Sequence, residues 1–242
     1  MNYEYGIQMY SLCDLAEKDL AAAFKVVGEL GYSYVESAGF FGHTADEVCK
    51  MLEDANVTVR SAHGSLKELL PDKIDETIAF HKAIGNKNFV IPTAKIETLE
   101  KIDDFVKIVN PAQEKLAANG ISLAFHNHSV EFETRYWGTS ILSELEKRTE
   151  LGFQIDVYWA FNAGVDPVIF CERLKDRIKY IHLMDGLLGG RGKALGEGHV
   201  SLEPIIAMAK ANNFGMIVES EGFYPTGAEE VARCMDFLKV HG

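Results

Sequence analysis

Eight short apolar runs recur along the chain, about one per 30 residues, and each is followed by a longer stretch whose apolar positions repeat at helical spacing. The runs are Tyr5–Tyr10, Ser33–Ser37, Thr58–His63, Lys87–Ile91, Ile121–His126, Gly152–Asp156, Ile178–Met184 and Gly215–Glu219. Runs this short and this continuous are the pattern of parallel strands covered on both faces. Between them, Leu20, Phe24, Val27 and Leu30 share one helical face ahead of Gly31, which suits a left-handed helix stop. Val48, Leu52 and Ala55 repeat the pattern, and so do Val231, Cys234, Met235 and Leu238. Asn110-Pro111 interrupts a helical stretch from about Thr98 to Asn119, so a kink or a restart is expected there.

Strict strand and helix alternation implies a parallel sheet, either closed or open and doubly wound. Eight units in 242 residues favour closure, giving an α/β fold of the (β/α)8 TIM barrel type. No G-x-G-x-x-G follows the first run, which removes the usual dinucleotide-binding reason for an open sheet. No low-complexity or Pro/Gly/Ser linker divides the chain, so one domain over residues 1–242 is expected. The glycine-rich loop, Gly186–Gly198, follows the seventh run.

Composition narrows the partners. Hydrophobic residues make up 47% and charged residues 25%, the balance of a globular domain. A net charge of −12 opposes binding to nucleic-acid phosphates and to anionic lipid. No run of 18 apolar residues occurs, so no membrane partner is expected. Cys13, Cys49, Cys171 and Cys234 form no C-x-x-C pair, and the first six residues show no basic region leading into an apolar stretch. A cytoplasmic location is the expectation.

Barrel enzymes build their sites at the C-terminal ends of the strands. Those ends carry Glu36, His63, His126 with Asn127 and His128, Asp156, His182 with Asp185, and Glu219 with Glu221. Converging Asp, Glu and His side chains make a divalent-cation site with ligands suited to Mn²⁺, Zn²⁺, Co²⁺ or Fe²⁺. Asp156 and Glu219 each close an apolar run, where a carboxylate is unfavourable unless it is ligated or ion-paired. The bland alternative for His182, between Ile181 and Leu183, is a core imidazole bonded to a carbonyl. His126 and His128 face one side only if their strand continues that far. His63 and Glu36 fit partners of the ligands or substrate contacts, and Glu131 either orients an imidazole or caps the next segment. His43, His81, His199 and His241 are expected at the surface. Arg191 and Lys193 in the glycine-rich loop fit either a phosphate grip or a mobile lid. Tyr158, Trp159 and Phe161 fit either a sugar-stacking face or core.

The order of several short motifs adds a resemblance. Gly6-Ile7-Gln8-Met9-Tyr10-Ser11, Gly31-Tyr32-Ser33-Tyr34-Val35-Glu36 and Ser61-Ala62-His63 are followed by His126-Asn127-His128-Ser129-Val130-Glu131-Phe132. Asp156 with Ala163-Gly164-Val165-Asp166-Pro167, His182-Leu183-Met184-Asp185, Gly196-Glu197-Gly198-His199 and Val218-Glu219-Ser220 complete the series. In this order the chain resembles the sugar phosphate isomerase/epimerase superfamily of xylose isomerase-like barrels, which also includes inosose dehydratases and apurinic-site endonucleases. The resemblance implies one divalent ion (Mn²⁺, Zn²⁺, Co²⁺, Fe²⁺ or Mg²⁺) held by His126, Asp156, His182 and Glu219. It departs from the family at His126, where many epimerases have a glutamate that works with the strand-eight glutamate on opposite faces of a metal-bound enediolate.

The implied activity is metal-dependent isomerisation or epimerisation of a ketose or keto-sugar, with Glu219, His126 and His182 as the catalytic set. Glu36, His63, His128, Trp159, Arg191, Lys193 and Glu197 are the implied substrate contacts. Return of the proton would fall to His63, His128, Glu131 or Lys193. A dehydratase or lyase acting by β-elimination on a keto-sugar or inosose, and a non-catalytic sugar-binding or accessory barrel, are the alternatives. The endonuclease branch places a histidine three residues after the strand-six aspartate, where this chain has Trp159. A homodimer is a further expectation from the resemblance.

Overall fold

Strand residues such as Ile7, Val35, Phe89, Phe125, Ile155, Ile181 and Val218 are fully buried, as a ring of strands wrapped in helices requires. In the computed structural model, which describes residues 3–242, that ring consists of β1 (Tyr5–Gln8), β2 (Tyr34–Ser37), β3 (Thr58–His63), β4 (Asn88–Ile91), β5 (Ser122–His126), β6 (Gly152–Asp156), β7 (Ile178–Leu183) and β8 (Gly215–Val218). Each strand pairs in parallel with its chain neighbour, and β1 closes the barrel against β8, with Ile7 opposite both Val35 and Val218. The fold is the (β/α)8 barrel expected from the alternation. No helix among the described residues is long and apolar enough to cross a membrane.

Helices cover the outside, and their starts are fixed by side-chain caps. The Asp19 carboxylate accepts from the Ala22 N–H at 2.9 Å ahead of the helix Leu20–Leu30. Thr44 and Glu47 form a reciprocal capping box for Ala45–Asp54. Gly31 ends the first of these helices at φ +96°, a conformation that penalises any residue with a Cβ. Inward stripes such as Leu20, Phe24 and Val27 are buried against the barrel. Each side chain of this kind contributes about 1.5–3 kcal/mol through removal of apolar surface from water.

Four expectations need correction. First, the helix does not restart at Pro111, because Leu99–Ala118 runs through it as one element. Pro111 and Lys107, whose carbonyl loses its partner, both lie on the solvent side, while Ile102, Phe105, Val109, Ala112 and Leu116 form an unbroken buried stripe that holds the helix down. Second, β1 stops at Gln8, because the Gln8 side chain accepts from the Tyr10 N–H at 3.1 Å and turns the chain into a short 3₁₀ segment, Met9–Leu12. Third, the glycine-rich loop contains a small antiparallel ribbon, Asp185–Gly186 against Gly192–Lys193. Fourth, His81 is buried, not at the surface. It packs edge-on against Phe40, Phe80 and Phe89, and its Nδ1 lies 2.9 Å from Asn86 Nδ2.

Candidate metal centre at the barrel mouth

Each of β5, β6, β7 and β8 delivers one polar side chain to the same spot. His126, Asp156 and His182 lie on their strands, and Glu219 follows β8 directly, where its N–H still bonds the Leu183 carbonyl at 3.0 Å. One donor atom from each of these four residues falls within 4.8 Å of the others, and all four residues are buried. His63, His126 and His182 make a second such group. The His63 and His182 rings are stacked at 5.5 Å.

Hydrogen bonds aim these groups. Asp156 caps the short helix Val157–Asn162 through Oδ1, which accepts from the Trp159 N–H at 2.8 Å. Its Oδ2, 3.9 Å from His182 Nδ1, is buried without a hydrogen-bond partner. His126 Nδ1 is also buried and unpartnered. Asn127 clamps the two strand ends by accepting from the Asp156 N–H at 3.1 Å and donating to the Asp156 carbonyl at 3.3 Å. His182 lies between carboxylates, with Nδ1 2.6 Å from Glu219 and Nε2 2.6 Å from Glu36. Below the four, buried Glu36 also accepts from Gln8 Nε2 at 2.7 Å and Gln154 Nε2 at 2.6 Å. His63 Nε2 lies 3.0 Å from Glu36 and 2.9 Å from Gln154 Oε1.

The electrostatics follow from this crowding. Burial pushes the Asp156 carboxyl well above the usual range, and the Glu219 charge adds to it. Burial, helped by His182, His63 and His128, drives His126 well below the ordinary imidazole value and leaves a neutral lone pair. Burial opposes charge on Glu36 as well, but His63 and His182 outweigh it and hold that carboxyl well below its usual range. Conversely, Glu219 and Glu36 outweigh desolvation at His182 and raise it. Beside the centre, burial and Glu219 push Glu221 up to about 7. A neutral imidazole, an unpartnered buried carboxylate oxygen, a second imidazole and a second carboxylate are a donor set that a divalent cation would satisfy.

A cavity of about 550 Å³ opens over the centre, with Tyr10, His63, His126, His128, Glu219 and Glu221 in its wall. The His128 side chain faces the Glu131 N–H in the capping box of the 3₁₀ turn Ser129–Glu131, and its ring lies 5.6 Å from that of Trp159. Glu131 caps the backbone by accepting from the His128 N–H at 2.8 Å and orients no imidazole. Arg191 is exposed, Lys193 belongs to the ribbon, and Glu197 pairs with Arg233 at 2.7 Å on the surface. None of these three, nor Trp159, lines the cavity. Gln8, Gln154 and Asn127 complete the site without being metal-ligand or acid–base residue types. Their sequence signal is a neutral amide inside or just beyond an apolar strand.

The family model for xylose isomerase-like TIM barrels matches residues 24–240. Among solved structures, a sugar phosphate isomerase/epimerase from Parabacteroides distasonis is 28% identical with a TM-score of 0.85, and 98% of each chain is covered. A second protein of that description from the same organism is 25% identical with a TM-score of 0.80, over 98% of this chain and 93% of that one. D-allulose 3-epimerase from Methylomonas sp., in complex with D-allulose, shares the fold at 16% identity and a TM-score of 0.74, over 100% and 98% of the two chains. No curated protein matches the sequence.

Proposed function

We propose that this chain, which belongs to the xylose isomerase-like TIM barrel family, is a metal-dependent sugar isomerase or epimerase that labilises a C–H bond beside a carbonyl. The observation that carries this reading is the meeting of His126, Asp156, His182 and Glu219, with Asp156 Oδ2 and His126 Nδ1 left buried and unpartnered. These four residues would hold one divalent ion of the Mn²⁺, Zn²⁺, Co²⁺ or Fe²⁺ type. When bound, such an ion supplies Lewis-acid polarisation of a carbonyl oxygen, which acidifies the neighbouring C–H.

The chain's own residues do the rest. Glu36 accepts from His182 Nε2, which fixes the tautomer and leaves Nδ1 turned toward Asp156 and Glu219. Trp159 and Asn127 hold the Asp156 carboxylate and backbone in place. Glu219 reaches both the centre and the cavity wall, so its carboxylate takes the proton from the substrate carbon. With His126 where related epimerases have a second glutamate, return of that proton falls to an imidazole. His63 is tied to Glu36 and Gln154 through Nε2 and His126 belongs to the ligand set, which leaves His128 as the remaining imidazole of the wall. Delivery to the same carbon from the opposite face gives an epimer, and delivery to the neighbouring carbon gives an isomer.

Solvent exchange tests the reading. Manganese-supplemented protein incubated with ketoses in D₂O should replace the α-proton with deuterium by NMR, and a chelator should abolish the exchange. Absence of exchange with ketoses and 3-keto sugars by protein shown to hold metal would overturn it.

A further inference from the structure

The mouth of the barrel is rich in carboxyl groups. Its wall carries Glu68, Glu219 and Glu221, and no lysine or arginine among the described residues lines it. Glu36 and Asp156 lie below with no exposed surface. The mouth therefore gathers carboxyl groups from Glu36, Asp156, Glu219 and Glu68 around the candidate metal position, with no basic side chain in the wall to offset them.

Barrel enzymes that hold a substrate phosphate generally do so with the loops after strands seven and eight, where backbone N–H groups point at the anion. Here both loops close on carboxylates of the chain itself. After β7, the buried Asp185 carboxylate accepts from the N–H groups of Gly186 at 2.8 Å, Gly196 at 2.9 Å, Gly198 at 3.0 Å and Val200 at 3.0 Å. A Cβ at Gly198 would collide with that carboxylate, so this glycine serves an internal anion. After β8, buried Glu230 accepts from the N–H groups of Gly222 at 2.9 Å and Tyr224 at 2.7 Å and from the Ser220 hydroxyl. These six N–H groups, drawn from both loops, are engaged by the chain's own carboxylates and are not offered to a ligand phosphate.

Resting on the sugar-enolising reading above, we propose that the substrate is an uncharged sugar, a free ketose or keto-polyol that carries neither phosphate nor carboxylate. Its hydroxyls would meet carboxylate and imidazole acceptors, whereas an anionic substituent would face like charge with no compensating cation or amide.

The test uses full-length protein loaded with Mn²⁺, whose effect on water-proton relaxation reports any ligand that reaches the metal. A neutral ketohexose and its 6-phosphate are titrated at low and high salt, and both are then assayed for α-proton exchange in D₂O. The neutral sugar should bind roughly tenfold or more tightly than the ester at low salt, and the gap should narrow as salt screens the repulsion. Equal or tighter binding of the ester would overturn the proposal while leaving the enolisation reading intact. Preferred binding of the neutral sugar without exchange of its α-proton would support the proposal and overturn the enolisation reading. Binding of neither sugar would overturn the proposal.

Discussion

At the N-terminal face of the barrel, Arg177 donates to the carbonyls of Glu146, Thr149 and Leu151 at 2.6–2.9 Å. Ser122 donates to Asn88 at 2.7 Å, and Asn88 donates to Ser61 at 2.8 Å. At the opposite mouth, Asp156 Oδ2 and His126 Nδ1 are buried with nothing to bond, and His182 is caught between two carboxylates. The two ends share the same strands and differ in how their polar groups are completed. Paired groups at the N-terminal face fasten one strand to the next, so they stabilise the fold. Unpaired ones at the mouth are held in an unfavourable state that a bound cation would relieve, and the strand ends on this side are where barrel enzymes keep their chemistry.

Substitutions at each end should therefore separate activity from stability. Glu219→Gln removes the proposed proton acceptor at the mouth and should lower turnover by about 10³-fold with little change in the urea midpoint. Retained turnover would break the contrast at its functional side.

His81, packed near the start of β4, tests the other side through pH. Burial pushes its folded-state pKa down to about 4, below the ordinary 6.5. Between those values the unfolded chain binds more protons than the folded one, so stability falls as pH is lowered from about 6.5 toward 4. The loss should reach about 3 kcal/mol, and His81→Phe should flatten that part of the profile in urea titrations. A profile unchanged by the substitution would mean that His81 titrates in the fold as freely as in the unfolded chain.

Arg177→Ala leaves three carbonyls short of a donor and should cost about 2 kcal/mol of stability in the same titrations. Turnover per folded molecule should stay at the wild-type level, and a specific loss of turnover would mean that the two ends are not independent.

The contrast also explains what could be read from sequence. Asp156 and Glu219 stand out because a carboxylate closes an apolar run, and the strand rhythm places both at one end of the barrel. The amides Gln8, Gln154 and Asn127 give no comparable signal, because a neutral side chain in a strand is compatible with many partners. Asp185 and its loop donors lie 11, 13 and 15 residues apart, a spacing that only the folded loop brings together. Pro111 misleads for a related reason. Local propensity predicts a break, while a buried stripe on the far side of the helix decides the outcome. His81 follows a helical pattern with charged neighbours, and its aromatic enclosure comes from Phe40 and Phe89 on other elements.

If the four strand-end residues form a metal centre, metal content shows it most directly. Untagged protein purified without chelator and analysed by plasma mass spectrometry should carry one equivalent of a transition metal, and Asp156→Ala should lose it while remaining folded. A native protein that holds no metal after incubation with Mn²⁺, Co²⁺ and Zn²⁺ would rule out a metal centre at these residues, as would an Asp156→Ala variant that retains a full equivalent.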